Sequence, residues 1–68
     1  MNICQKFGVK VRQNREKLQW SQEELADQCG LHRTYISGIE RGKRNPTLLI
    51  VETLAKSLKV DPIELFKD

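Results

Sequence analysis

A chain of 68 residues, 38% hydrophobic and 31% charged, has the composition of one small globular domain and no room for a catalytic domain beside a separate binding domain. Its formal charge of +3 is mildly basic, which permits an anionic partner without requiring one. With Cys4, Cys29 and His32 as its only cysteines and histidine, it lacks the clustered ligands of a structural metal site, and no metal or other cofactor is expected.

No run approaches the roughly 20 apolar residues of a membrane span, and the opening MNICQKFGVK lacks the long apolar core of a signal peptide. The chain is therefore expected in the cytoplasm, away from membranes, with both thiols reduced. A Cys4–Cys29 disulfide is the alternative that spacing leaves open.

Helical patterns dominate, and no stretch alternates as a strand would. Cys4, Phe7, Val11 and Leu18 recur at spacings of three, four and seven, one face of a first helix over about residues 3–18. Lys6, Lys10, Arg12, Arg15 and Lys17 occupy much of its remaining surface. SQEE at 21–24 is a capping box that opens a short helix with Leu25, Ala26 and Cys29 inward, and Gly30, free to take positive φ, stops it. A third helix begins at His32 or Arg33, turns Ile36 and Ile39 inward and runs to about Arg41, with Gly42 ending it. KRNP is a loop. Leu48, Leu49, Val51, Leu54, Ala55 and Leu58 predict an apolar fourth helix over about 47–58, and Asp61-Pro62 opens a short fifth carrying Ile63, Leu65 and Phe66. The expected fold is all-α, a compact five-helix bundle forming one domain over residues 1–68.

Charge is segmented along this plan. Residues 1–20 are net basic, 21–31 net acidic and 32–44 basic again, so packing the two basic segments together makes one positive face. Between them lies SQEELADQCGLHRTYISGIERG, two short helices joined by a glycine-containing turn. Such a unit projects its second helix from the surface, where it fits a DNA major groove about 12 Å wide. A helix used that way needs an apolar underside, hydrogen-bond donors outside and basic flanks. Ile36 and Ile39 supply the first, Arg33, Thr34 and Ser37 the second, and Arg41, Lys43 and Arg44 the third. The implied partner is double-stranded DNA.

Some of these residues have a second reading. Thr34 either meets bases or helps to cap its helix. Tyr35 either packs on the core edge or contacts a phosphate or thymine methyl, and Ser37 either contacts the groove or is merely tolerated there. His32 lies near phosphate or is a solvated turn residue. No nucleophile–base pair or phosphate-binding glycine loop is present, so an enzyme is not expected, and no small-molecule effector site is evident. The rival class is a protein-interaction module, such as an antitoxin or co-regulator domain. It would favour an apolar outer face on the third helix.

Three stretches, RQNREKLQWSQEELADQCGL, RTYISGIERGKRNPTL and VETLAKSLKVDPIELF, together resemble the Cro/CI-type helix-turn-helix proteins of the XRE family, over about residues 4–66. The resemblance implies a lambda-repressor-like bundle with its motif at about 21–41, and a sequence-specific transcriptional regulator. RTYISGIERG also resembles the small controller proteins of restriction–modification systems. By the same resemblance, Ser21 and Gln22 hold phosphate at a helix N-terminus, a place physically suited to anions. Arg33 and Thr34 reach base edges, with Tyr35 and Ser37 beside them, and Arg is well shaped for guanine. Arg44 and Asn45 match loop positions that hold the DNA backbone; His32, Arg41 and Lys43 are expected beside it from their place at the two ends of the third helix, not from the resemblance. Glu40, an acid near a DNA-facing helix, is implied to pair with Arg15. The family usually has glycine where this chain has Gln19, which asks for a wider turn or a left-handed conformation there.

Leu48, Leu49, Val51, Ile63, Leu65 and Phe66 are many apolar residues for so small a domain. Helices four and five, about residues 47–67, are expected to leave some of them exposed for a second copy. A homodimer would read a palindrome whose half-sites lie about 34–36 Å apart.

Overall fold

Asn2 opens the first helix, α1 (Ile3–Lys17), with a capping box: its side chain accepts the Gln5 N–H and the Gln5 side chain accepts the Asn2 N–H, both at 2.9 Å. The computed structural model describes residues 1–67, so Asp68 of the expected domain lies outside the described residues. At its other end α1 closes in a tight turn. Gln19 takes φ 60°, and the Trp20 N–H reaches the Arg15 carbonyl at 3.3 Å. The turn is therefore not widened; Gln19 adopts the left-handed conformation that glycine would take more cheaply.

Ser21 then caps α2 (Gln22–Cys29), with Glu24 returning the bond, and Gly30 ends it at φ 68°. Two residues later comes α3 (Arg33–Glu40), followed by Gly42 at φ 72°. Thr47 caps α4 (Leu48–Leu58) by accepting the Ile50 N–H at 3.2 Å. Each boundary falls within a residue or two of the position its capping residue predicts.

The fifth element differs from expectation. Asp61 caps it and Pro62 starts it, but Pro62–Leu65 is a single 3-10 turn, so the described residues form four α-helices and a tight terminal turn. Leu65 is fully buried, and Phe66, one residue on, lays its ring 5.2 Å from that of Phe7.

The core draws on every element: Phe7 and Val11 from α1, Leu25 and Ala26 from α2, Ile36 and Ile39 from α3, Leu54, Ala55 and Leu58 from α4, and Leu65 from the last turn. Two residues expected at a dimer surface, Val51 and Leu65, belong to this core instead, at 8% and 0% exposure. Their positions face inward on the folded monomer, something their apolar character alone does not distinguish from a solvent-facing leucine.

Cys4 and Cys29 are both free and half-buried. Burial pushes the Cys29 thiol above its ordinary range, against a smaller downward pull from Ser57. Among the described residues no helix is long and apolar enough to cross a membrane.

Candidate nucleic-acid interface

At Gly8 the backbone of the first helix approaches the end of the third directly, with no side chain between them. A β-carbon on Gly8 would collide with the carbonyl oxygens of Ile39 and Glu40, so only glycine lets α1 come this close to the end of α3. Beside that contact, Arg15 grips Glu40 with two donors. Its Nε donates to Oε2 at 2.7 Å and its Nη2 to Oε1 at 3.0 Å, while Nη1 donates to the Trp20 carbonyl at 2.8 Å. The Glu40 side chain is only 3% exposed. The hydrogen bond to Glu40 holds the Arg15 guanidinium above its ordinary pKa, so it stays charged. The pair expected between these residues is present.

A third donor completes the site. Gln22, the first residue of α2, donates from Nε2 to Glu40 Oε1 at 3.0 Å. One charge therefore ties together α1, the start of α2 and the end of α3, and it is covered by donors rather than presented to an approaching phosphate. Gln22 reads in the sequence only as a phosphate contact; its link to Glu40, 18 residues away, has no local signal. The amide has a second hydrogen to offer.

On the outer side, Arg33 and Thr34 are exposed at the start of α3, while Tyr35 and Ser37 are half-buried. His32 occupies the N-cap position but makes no side-chain cap bond. Thr34 is thus not the cap, and the positive end of α3 stays open. Ser21 already accepts the Glu24 N–H at 3.0 Å, which leaves its hydroxyl hydrogen for an outside acceptor. Arg41, Lys43, Arg44 and Asn45 are all exposed beyond the helix end. Arg44 does not stand free: its guanidinium carbon lies 5.5 Å from the centre of the Tyr35 ring. Asn45 borders a groove of about 160 Å³ whose lining includes Ile3, Phe7, Leu48, Val51 and Phe66.

That groove belongs to a separate apolar face. Leu48 is 86% and Leu49 74% exposed, with Ile63, Phe66 and Ile3 also outside. Ile3 is an addition that the first helix's periodicity does not single out. Among the described residues no group of histidine, cysteine and carboxylate side chains is placed to hold a metal.

An apolar-bottomed second helix, braced from behind and rimmed with cations, defines a helix-turn-helix protein of the DNA-binding type. The chain belongs to the helix-turn-helix family of XRE type, whose family model matches residues 11–65. It is similar to the control protein C.BamHI of Bacillus amyloliquefaciens, 55% identical over 94% of this chain and 80% of that protein. It is also similar to C.MunI of a Mycoplasma species, 45% identical over 93% and 86% of the two chains. Among solved structures, the restriction–modification controller protein C.AhdI of Aeromonas hydrophila superposes with a TM-score of 0.90, at 44% identity over 93% of this chain and 96% of that one. The controller C.Esp1396I, solved as a tetramer in complex with its natural 35 base-pair operator, gives 0.87 at 36% identity over 97% and 87%. The family is one of transcription regulators and not of enzymes.

Proposed function

We propose that this chain is a sequence-specific DNA-binding transcriptional regulator, the controller of a restriction–modification system, working in the cytoplasm. Residues 1–68 act as one DNA-binding domain. Two copies dock on a palindromic operator, each laying α3 in the major groove. Arg33 and Thr34 read base edges, with Tyr35 and Ser37 beside them. Ser21, Gln22, His32, Arg41, Lys43, Arg44 and Asn45 fix the register on the backbone. Leu48, Leu49, Ile63 and Phe66, in the segment of about residues 47–67, make the contact between copies.

The observation that carries this reading is the geometry of α3. Its N-terminus has no side-chain cap and presents Arg33 and Thr34, while Ile36 and Ile39 are buried at 0% and 1% beneath it. That outer face is polar and cationic, which suits DNA and not an apolar protein partner. The controller role is supported by the 55% identity to C.BamHI and the 44% identity to C.AhdI over nearly the whole chain.

Selection from a pool of random duplex DNA at near-physiological salt tests it. The expected product is an inverted repeat with half-sites about one helical turn apart. Binding to unrelated duplexes should be weaker and fall steeply with salt. A folded protein that enriches no sequence would overturn the proposal and favour a protein partner.

A further inference from the structure

Glycine is disfavoured inside a helix, yet Gly38 lies in the middle of α3 and is buried. What covers it is Arg44. A β-carbon at position 38 would stand 2.9 Å from Arg44 Cγ and 3.1 Å from its Nε, too close for the arginine to stay where it is. The stem of Arg44 therefore crosses bare helix backbone. Its guanidinium carbon then comes to rest 5.5 Å from the centre of the Tyr35 ring, one turn back on the same helix. The backbone leading there is held as well. The Lys43 N–H donates to the Gly38 carbonyl at 2.9 Å. Gly42 packs against Gln5 of α1 with no room for a side chain.

We infer that Gly38 is a positioning residue for DNA binding: the space left by its missing side chain is the seat that holds Arg44 against the recognition helix before DNA arrives. The inference rests on the DNA-binding reading above. An arginine on a loop ordinarily gives up much rotamer freedom when it docks. Seated across Gly38 and clamped by Tyr35, Arg44 has given up much of it already. No ion pair among the described residues engages Arg44, so the seat and the ring are what orient it. Gly38 thereby contributes to affinity without touching DNA.

The test is a double-mutant cycle on the sequence that the wild-type chain enriches from random duplexes. Gly38→Ala suits the helix, and the displaced arginine can swing into solvent, so the variant should melt no lower than wild type. It should bind the selected duplex about tenfold more weakly, a loss of about 1.4 kcal/mol. In an Arg44→Ala background the same substitution should cost nothing further, because the residue it displaces is gone. Wild-type affinity for Gly38→Ala, or losses that simply multiply in the double variant, would overturn the inference while leaving DNA binding intact. Failure of the wild-type chain to enrich any sequence would instead strike the DNA-binding reading itself. Should Gly38→Ala not fold, Tyr35→Leu removes the ring together with any DNA contact of its own and enters the same cycle: a part of its loss that vanishes in the Arg44→Ala background supports a held Arg44, and a fully additive loss overturns it.

Discussion

Arg15 and Glu40, 25 residues apart in sequence, meet as a two-pronged ion pair whose carboxylate side chain is only 3% exposed. Removing one partner of such a pair strands the other. Glu40→Gln keeps the shape and leaves the Arg15 guanidinium without its counter-charge, at a cost of about 3 kcal/mol. In a domain of this size that lowers the melting temperature by roughly 15 °C. A melting curve unchanged from wild type would show that the pair is passive.

Gln19 offers the opposite result. It holds φ 60° with an exposed side chain that makes no hydrogen bond among the described residues. Gln19→Gly removes the clash between its β-carbon and the backbone and should raise stability by about 0.5–1 kcal/mol. Denaturant unfolding measures it, and a loss of stability would mean that the Gln19 side chain holds the turn in some other way.

Arg33 separates base reading from backbone holding. Arg33→Ala should cost about 1–3 kcal/mol on the selected operator and far less on unrelated duplexes, so the sequence preference relaxes. Lys43→Ala should weaken both by similar factors and reduce the salt dependence by about one counterion. Equal losses for Arg33→Ala on both duplexes would make it a backbone contact.

Leu48 and Leu65 are both leucines near the apolar end of the domain, yet one is 86% and the other 0% exposed. Leu48→Asp should leave the monomer folded and shift the proposed dimer toward monomer in sedimentation. Leu65→Ala should cost about 2–5 kcal/mol of folding stability. A Leu48→Asp protein that still sedimented as a dimer would move the interface elsewhere.

Burial raises the Cys29 thiol, so the folded chain binds that proton more tightly than the unfolded one. The linked stability is fully present below the unfolded pKa and is lost as pH climbs through the higher folded value. Stability should therefore decline on the alkaline side of the ordinary thiol range, and Cys29→Ala should flatten that decline. An identical alkaline slope in the variant would assign the loss to other groups.

The helix boundaries were legible because their signals are local. Ser21 with Glu24, Gly30 and Asp61 with Pro62 each fix a terminus through groups a few residues away. Asn2 and Gln5 carry the same kind of signal, and the first helix does begin there. What escaped depends on distance. Leu65 and Leu48 look alike until the last turn folds back against α1 and α4. Gln22 meets Glu40 only after α2 and α3 have packed. Gly38 and Arg44 show nothing in common along the chain, since one is defined by an absent side chain and the other by a loop that returns across it. For the last turn the sequence located a cap but not the pitch, which no single residue of PIEL signals.

Gly8 places the backbone of α1 against the carbonyls that end α3. A contact between two main chains has no rotatable bond in it and little to compress. The recognition helix is thus bolted to its support, and its height above the rest of the domain is fixed before any encounter. On binding, a groove of the wrong width cannot be met by raising or lowering that helix, so the adjustment falls to the duplex. Sequences that bend or widen easily then gain an advantage at positions no side chain touches.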